Sequence, residues 1–548
     1  MTSRSHSTNN INDTRKVPYS PENSMRKVRA FERCTLTSAL IILIHSVYLY
    51  LTFLRVPLNS DHANQVLQAA DILSGNFFLK GWNLTGVSFY LSEIPFYILG
   101  SAIAGIDTYA YHIAAAVMII CLSFLGYMLA FKNHRTASIQ KLLLYLAITG
   151  FPTLNWLGYL RGHCAIFIYF CLLLLILDRI LKDENPHPAL WISFGLLTAC
   201  GCMSDMQLLI IGILPIILFC GINLLQNQPK FSTKRCIWLA GIAVCGTGLG
   251  MLLDSLLMKL GGINKNSFLD TRKFLDMDSL REKFLLLGKG ILNVFRADLP
   301  DGQWSIHNIL TVGIATLVLM LMLYFIILIL LRYLKQGEGD PVSIVCTLSV
   351  TVMCIICFFT DIYTSEDSAR YISYLPFAAA ILICRSLEPK LTEFRPLPCL
   401  ISFLAAGACL FIWPTFERIQ TPQDRLAGIL AKNGLTDGYA DFWNASHTTV
   451  ASGNTVRVRA IRGQVPELGK PDYMEMQNWF CKTEWYLSIP HNFIVFDGSG
   501  YLHVSEDVVT MLLGEPEQIL ESDGYRIYIY DRDLTKEIVL PENISQSQ

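Results

Sequence analysis

The sequence predicts an all-α polytopic membrane protein that ends in a small C-terminal α+β extracytoplasmic domain. Hydrophobic residues make up 52% of the 548 residues and charged residues only 16%, which is too apolar for a water-soluble chain of this length. Many apolar runs reach the roughly 20 residues that a helix needs to cross the hydrocarbon core. Residues 414–548 differ from the rest because they are polar and contain short strand-like runs.

The N-terminal tail, residues 1–34, is polar and is followed by an apolar run that is too long for a signal peptide. Basic residues cluster in this tail before the apolar run: Lys16, Arg26, Lys27, Arg29 and Arg33. Because cytoplasmic segments carry an excess of lysine and arginine, we expect a cytoplasmic N-terminus and a multi-pass protein of the cytoplasmic (inner) membrane.

The predicted membrane domain, residues 35–413, contains about 11–13 spans by length and hydropathy. The candidate spans are 35–55, 89–106, 108–131, 138–154, 163–181, 189–204, 206–225, 236–257, 306–333, 342–361, 370–387 and 397–413. Two long loops, 56–88 and 258–305, are predicted on the outside. Within the second loop, Leu280 to Phe295 has the pattern of an amphipathic helix that lies in the membrane interface.

Basic residues in later loops predict that the C-terminal domain lies outside the cytoplasm. The cytoplasmic markers are Lys230, Lys234, Arg235, Arg332, Lys335, Lys390 and Arg395. Twelve full spans would instead return the C-terminus to the cytoplasm, so one segment is not a full span or one span is missing. The conflict lies between residues 89 and 181, where Lys132, His134 and Arg135 compete with Arg161 for the cytoplasmic side.

The predicted C-terminal domain, residues 414–548, begins with a helix from Gln423 to Lys432. Strand-like runs follow, separated by Gly, Pro, Asn and Asp: Thr455 to Arg459, Asn492 to Phe496 and Tyr525 to Tyr530. This region holds one cysteine, Cys481, so it has no internal disulfide.

Asp61 is the first candidate site residue. It lies near the start of a predicted amphipathic helix that Ser60 caps and that runs to Leu73. Apolar residues recur on one side of this helix, while Asn64, Gln65 and Gln68 join Asp61 on the polar side. The carboxylate has two interpretations, a functional acid or a negative charge that only complements the helix dipole.

Glu93 is the second candidate acid, and it falls in the first turns of the predicted span 89–106. A carboxylate at that depth is costly unless it faces a wet cavity or a partner, so it is a functional candidate. Pro95 is expected to open a local gap in the helix that admits water.

Several further polar residues lie near predicted outside helix ends. Asp205 is either a site residue or a cap for the following helix, and Arg370 either binds a phosphate or pairs with acidic neighbours. A histidine at a membrane boundary also has a simple structural explanation as a hydrogen-bonded interfacial residue. The additional candidates are His62, Arg161, His163, Asp361 and Tyr371.

The order of these features resembles the GT-C superfamily of integral-membrane glycosyltransferases, near the bacterial protein mannosyltransferase and aminoarabinose transferase families. The resemblance covers most of residues 35–413 and rests on the early Asp61, the acid Glu93 at the next span, a Ser204-Asp205 turn and an Arg370-Tyr371 pair. It implies a polyprenyl-phosphate sugar donor and an inverting transfer to an extracytoplasmic glycan, lipid or protein.

The resemblance also implies roles for individual residues. Asp61 would be the general base, Glu93 would orient the acceptor or a divalent metal, and Arg370 would bind the donor phosphate. Relatives carry Lys or His just before the second span, where this chain has only Lys80, displaced upstream. The aromatic and polar segment Gly438 to Thr449 is compatible with sugar stacking.

Other function classes make different predictions. A transporter or flippase would show internal repeats and charges deep within its spans, whereas here the charges cluster at outside ends. A structural or sensor membrane protein leaves Glu93 and the polar turn 361–370 without a role. The net charge of −1 provides no basic bias for binding nucleic acid, so the expected partners are membrane lipids, the lipid-linked sugar and its acceptor.

Overall fold

The computed structural model describes residues 50–132, 139–150, 162–261, 264–265, 279–297, 306–391, 417–464, 473–487, 489–502 and 505–540, together with residues 40, 43, 44, 47 and 48. The predicted tail 1–34, the predicted span 397–413 and Arg161 lie outside these described residues, as do parts of the predicted spans 35–55 and 138–154.

Helices dominate the chain up to residue 391. They are α1 (Ser60–Leu73), α2 (Ile94–Ala104), α3 (Thr108–Ala130), α4 (Ile139–Gly150), α5 (Cys164–Lys182), α6 (Pro188–Ser204), α7 (Leu214–Leu225), α8 (Thr233–Gly261), α9 (Leu280–Phe295), α10 (Ile306–Gln336), α11 (Pro341–Phe359) and α12 (Leu375–Leu391). A wider helical turn, Leu209–Ile213, leads into α7, and a short 3₁₀ helix, Glu366–Ile372, precedes α12.

The predicted polytopic helical membrane fold is confirmed. Among the described residues, six helices are long and apolar enough to cross a membrane: Thr108–Ala130, Cys164–Lys182, Thr233–Gly261, Asn308–Gln336, Pro341–Phe359 and Glu366–Glu388. Three shorter apolar helices accompany them: Ile94–Ala104, Pro188–Ser204 and Leu209–Leu225. Large apolar side chains such as Leu252 and Met320 are each 64% exposed, as expected of surfaces that face lipid.

The prediction of a full span at 89–106 is wrong. The helix there, α2, has 11 residues and is about 16 Å long at the α-helical rise, roughly half of the hydrocarbon core. The turn after α2 packs at Ile106 against Gly453 of the C-terminal region, while Glu93 at its start contacts the start of α5. Both ends of α2 therefore lie on the face that carries the C-terminal region, which we call the domain face.

This short helix bears on the conflict in the predicted span count. Without α2, eleven predicted spans remain, which is an odd number. The span 397–413 and parts of 35–55 and 138–154 lie outside the described residues, so this count stays a prediction. The short length of α2 has a local physical reason. Pro95 follows Ile94 in the first turn, and Gly105 ends the helix at a positive φ of 73°.

Buried ion pairs join helix ends on the opposite face. The guanidinium of Arg385 on α12 binds both carboxylate oxygens of Asp340, at 2.7 and 2.8 Å, and also donates to the carbonyl of Leu129. Lys141 pairs with Glu388 nearby. Pairing avoids the cost of leaving charges without partners in the apolar core. Together these contacts connect α3, α4, the start of α11 and α12.

The C-terminal region forms a six-stranded mixed sheet with helices, as the predicted α+β composition requires. The strands are β3 (Asp437–Ala440), β4 (Arg457–Gln464), β5 (Tyr473–Met476), β7 (Phe493–Phe496), β8 (Gln518–Ser522) and β9 (Tyr525–Ile529), in the order β5-β4-β3-β7-β9-β8. Strands β4 and β7 both pair parallel to β3. The helices are α13 (Pro422–Lys432), α14 (Phe442–Ala451) and α15 (Glu506–Leu513).

A second, small sheet attaches this region to the first loop of the membrane part. Strand β1 (Trp82–Leu84) pairs antiparallel with β6 (Cys481–Lys482) and parallel with β2 (Asn264–Lys265). Beside it, Asp71 of α1 accepts hydrogen bonds from the Trp82 indole at 2.7 Å and from Lys482 at 3.2 Å. The C-terminal region is therefore docked on α1 and β1.

The short α2 makes a topological prediction that labelling can test. A cysteine at Ile106 should react with a membrane-impermeant maleimide from the same side as a cysteine at Met511, which is 69% exposed on α15. A cysteine at Glu338, an exposed residue between α10 and α11, should react only from the other side. The unsubstituted chain is the background control. If Ile106→Cys reacts from the same side as Glu338→Cys, residues 89–106 cross the membrane as a full span after all.

Candidate functional site

Helix α1 carries Asp61 in its first turn. The helix is capped by Asn59, whose side-chain oxygen accepts from the His62 amide at 3.1 Å, and not by the predicted Ser60. The Ser60 hydroxyl instead donates to the carbonyl of Trp443 on α14, at 2.8 Å. The start of α1 is thus held from two sides, by its own cap and by the C-terminal region.

The predicted polar face of α1 is buried, because α14 covers it. Asn64, Gln65 and Gln68 are each no more than 3% exposed. The Asn64 side chain accepts from the Ser446 hydroxyl at 2.9 Å, which satisfies its oxygen in this interface. Polar residues on one side of α1 therefore recognise another part of the chain rather than water.

The Asp61 carboxylate is half-buried at the edge of this interface. Burial raises the pKa of the Asp61 carboxyl to about 6, and the nearby Arg370 guanidinium acts in the opposite direction. Within the described part of the chain, no hydrogen bond engages this carboxylate. Asp61 is therefore an acid that can exchange a proton near neutral pH.

Arg370 lies in the 3₁₀ helix Glu366–Ile372. Its guanidinium lies 5.2 Å from the centre of the Tyr371 ring and is within electrostatic range of both Asp61 and Asp367. Gly162 leaves room beside this side chain, since even a Cβ there would stay 4.0 Å from the Arg370 Cδ. The guanidinium has five donors, of which the Tyr371 hydroxyl takes one at 3.4 Å.

His163 and Asp205 form a buried pair next to Tyr371. The His163 Nδ1 lies 2.5 Å from the Asp205 carboxylate, and the His163 and Tyr371 ring centres are 5.3 Å apart. His163 has a positive φ of 63°, which is uncommon for a residue with a Cβ and turns its ring toward Asp205 just before α5. Asp205 also accepts from the Gln207 amide at 2.9 Å. Asp205 therefore caps the turn that follows it and also pairs with His163.

Glu93 is buried and engaged at the start of α5. It is 2% exposed, accepts from the Ala165 amide at 3.2 Å and accepts from the Ser92 hydroxyl. A carboxylate at a helix N-terminus satisfies free amides there and complements the helix dipole. The structure therefore provides Glu93 with a structural role as a cap of α5, within electrostatic range of His163 and Asp205.

Tyr97 connects the two acids, and sequence reasoning missed it. Its buried hydroxyl lies 2.9 Å from the Nδ1 of His62, and its phenol is within electrostatic range of both Asp61 and Glu93. The only signal in the sequence was its spacing, four residues after Glu93, which puts the two side chains on one face of a helix.

The remaining candidates fall in different surroundings. His62 is 4% exposed and stacks on Tyr111 with ring centres 5.2 Å apart, so it belongs to the core around Tyr97. Lys80 is exposed in a turn that Asn76 stabilises. Asp361 lies beside Lys283 of α9. Among the described contacts, none joins Lys80 or Asp361 to Asp61.

The resemblance to the GT-C superfamily implies that Glu93 orients either the acceptor or a divalent metal, and the described residues do not fit the metal. No group of three His, Cys, Asp or Glu side chains in the described part of the chain has the arrangement of a metal site. Glu93 is already used by Ala165 and Ser92, and the nearest charge described for Asp61 is a cation. We therefore derive no chemical step through a metal.

Comparison with known proteins leaves the family open. No family model and no curated protein matches the chain. Among solved structures, the chain is similar to the Archaeoglobus fulgidus oligosaccharyltransferase tethered to an acceptor peptide, with a TM-score of 0.36 and 12% identity over 84% of this chain and 69% of that one. The same enzyme in complex with Zn and sulfate superposes with a TM-score of 0.33 and 13% identity, over 76% of this chain and 62% of that one. A likeness at this level carries no conclusion about activity.

The geometry brings six predicted residues to one continuous cluster on the domain face. Asp61 is within electrostatic range of Arg370, Arg370 contacts Tyr371, and Tyr371 lies against His163. His163 then pairs with Asp205, and both lie near Glu93. The cluster holds a proton acceptor and a cation within electrostatic range of each other near helix ends, which suits deprotonation of a hydroxyl beside a bound anion.

The capping role of Glu93 makes a prediction about stability. Glu93→Ala leaves the buried Ala165 amide without an acceptor, which should cost about 1–3 kcal/mol and lower the thermal unfolding midpoint in detergent. Glu93→Gln keeps an amide oxygen in place and should unfold near the original midpoint. Glu366→Ala, which removes a largely exposed partner of Lys289, is the control and should change stability by less than about 0.5 kcal/mol. Equal midpoints for Glu93→Ala and the unsubstituted chain would exclude the capping role.

Proposed function

We propose that the chain is a membrane glycosyltransferase that moves a sugar from a polyprenyl-phosphate donor to an extracytoplasmic acceptor, with inversion. The observation that carries this proposal is the juxtaposition of the half-buried Asp61 carboxylate with the Arg370 guanidinium on the domain face. The order of motifs that resembles the GT-C superfamily supports the sugar-transfer chemistry.

Asp61 acts as the general base in this proposal. Its carboxylate takes the proton of an acceptor hydroxyl while the hydroxyl oxygen bonds to the anomeric carbon, and the bond from that carbon to the phosphate oxygen breaks. A single displacement of this kind inverts the anomeric centre. A carboxyl with a pKa of about 6 is mostly ionised at pH 7 and accepts a proton more readily than an ordinary aspartate.

Arg370 stabilises the departing phosphate. A guanidinium binds phosphate oxygens through paired, charge-assisted hydrogen bonds, and the leaving group gains negative charge as the sugar departs. Its neighbour Tyr371 fixes the side chain from one face through a cation–π contact. The His163 and Asp205 pair supports Tyr371 in turn and is a second candidate contact for the donor.

Glu93 supports the site from behind in this mechanism. It holds the start of α5, and His163 directly precedes that helix. The predicted role of Glu93 in orienting the acceptor is replaced in our proposal by a positioning role through α5 and Tyr97.

The membrane arrangement follows the same proposal. We place the domain face outside the cytoplasm of a cytoplasmic (inner) membrane, with a cytoplasmic tail 1–34, a catalytic membrane domain 35–413 and a soluble domain 414–548. A polyprenol chain then remains in lipid while its phosphate reaches Arg370 at the helix ends. Helix α9, whose Phe284 is 67% exposed and whose Lys289 pairs with Glu366, lies at the same level.

Replacing the base tests the proposal directly. Asp61→Asn should lower sugar transfer by about 10²- to 10⁴-fold while membrane insertion and expression are unchanged, because the amide cannot accept the proton. The measurement is mass spectrometry of cell-envelope glycans from cells with and without the chain. Asp71→Asn is the matched control, since Asp71 lies on the same helix and binds Trp82 and Lys482 instead. Normal glycan output from Asp61→Asn would contradict the assignment of Asp61 as the general base and would favour the alternative of a transporter or flippase.

The raised pKa of Asp61 predicts an unusual pH profile. Because only the ionised carboxylate accepts a proton, the transfer rate should fall as pH falls through about 6, well above the range of an ordinary aspartate. Arg370 lowers the pKa of Asp61, so Arg370→Gln should move the acid limb to higher pH, whereas Arg370→Lys should move it less. An acid limb near pH 4 in the unsubstituted chain, or no movement in Arg370→Gln, would contradict the assignment.

A further inference from the structure

A second polar and aromatic surface lies in the C-terminal region, at the carboxyl ends of β3 and β7. These two strands are parallel neighbours. The chain leaves β3 through α14 toward β4 on one side, and it leaves β7 through α15 toward β8 and β9 on the other side. In open sheets, connections that diverge in this way leave a crevice at the carboxyl ends of the strands, where ligands bind.

An aspartate directly follows each of the two strands. Asp441 follows β3 and Asp497 follows β7, and the side-chain amide of Asn444 donates to both, at 2.6 and 2.7 Å. The amides of Trp443 and Ser499 donate to the remaining carboxylate oxygens at 2.8 and 2.9 Å. Each of these four carboxylate oxygens therefore has a hydrogen bond within the protein. Asp441 is 2% exposed whereas Asp497 is partly exposed, so the Asp497 oxygens retain acceptor capacity toward a ligand.

Two exposed aromatic residues follow these aspartates closely in the chain, Trp443 after Asp441 and Tyr501 after Asp497. Trp443 is 38% exposed and Tyr501 is 54% exposed, and their ring centres are 6.2 Å apart at an angle of 65°. Gly498 and Gly500 adopt positive φ values of 72° and 76°, which let the chain after β7 turn tightly and bring Tyr501 to Trp443. Large aromatic rings are costly to leave in water, so a rigid pair of them at a switch point indicates a ligand surface.

The surface is joined to the candidate catalytic helix. The carbonyl of Trp443 accepts from the hydroxyl of Ser60, which immediately precedes Asp61. A second hydrogen bond, between Ser446 and Asn64, holds α14 against α1 one turn later. The subsite and the acid that we propose as the base are therefore carried by two helices that hydrogen bonds fix against each other.

We propose that Trp443 and Tyr501, with Asp497, form a carbohydrate-binding subsite that takes a pyranose ring of the acceptor. The C–H face of a pyranose packs on an aromatic ring, and its hydroxyls donate to carboxylate oxygens. A purely apolar occupant would cover the partly exposed Asp497 carboxylate and exclude water from its remaining lone pairs, which is costly, so the mixed lining favours a polyhydroxylated ligand. This inference rests on the proposed function because it names the acceptor class of the same site, as a glycan or glycolipid.

Binding of simple sugars to the full chain tests the subsite apart from catalysis. The probes are methyl glycosides of glucose, mannose, galactose and N-acetylglucosamine, observed by saturation-transfer NMR with the protein in nanodiscs. Trp443→Ala and Tyr501→Ala should each weaken binding of the best probe by about tenfold or more. Tyr324→Ala, which removes a tyrosine of similar exposure on α10, should bind as the unsubstituted chain does.

The outcomes separate the subsite from the proposed reaction. Asp61→Asn should keep glycoside binding while losing transfer, so loss of transfer alone does not test the subsite. Binding that survives both aromatic substitutions, or no saturation transfer to any of the four glycosides in the unsubstituted chain, would overturn the subsite. Normal glycan output from Asp61→Asn combined with aromatic-dependent binding would instead refute the base and leave the subsite standing.

Discussion

The contact between α1 and α14 is the constraint on which the candidate site depends. The polar side of α1 is too polar to be buried against lipid or an apolar core, and α14 supplies partners there for Ser60 and Asn64. A buried polar group without a partner costs free energy, so these hydrogen bonds select one orientation of α1. That orientation directs Asp61 toward Arg370 and joins the membrane part to the C-terminal region.

The distribution of charge follows from the same cost. Charged side chains in apolar surroundings need partners, which the pairs of Arg385 with Asp340 and of Lys141 with Glu388 provide. On the opposite face the pairs are closed: Arg385 is fully engaged by Asp340 and by a backbone carbonyl. On the domain face, Asp61 and Arg370 oppose each other without a direct hydrogen bond among the described contacts. The closed pairs of Arg385 stabilise the helix bundle. Asp61 and Arg370, in contrast, retain hydrogen-bonding groups that a substrate could use.

Glu93 is a buried acid whose neighbours give it a structural role. Its burial alone suggested chemistry, but its contacts are those of a cap for α5. The short α2 explains how such an acid is accommodated, because a helix that begins and ends on one face carries Glu93 to the start of α5 rather than into lipid. Function and stability are linked at this position through His163, whose strained backbone directly precedes the capped helix.

Hydropathy and periodicity by themselves determined the helical membrane class, the α+β character of the C-terminal region and several elements, such as α1 from Ser60 to Leu73 and α9 from Leu280 to Phe295. These are local properties, since side-chain spacing and apolar length act over one or two turns. The tertiary structure decided the length and path of α2, the burial of the polar side of α1 and the meeting of Asp61 with Arg370. The sequence could not determine these because they depend on contacts between segments hundreds of residues apart, which local patterns do not encode.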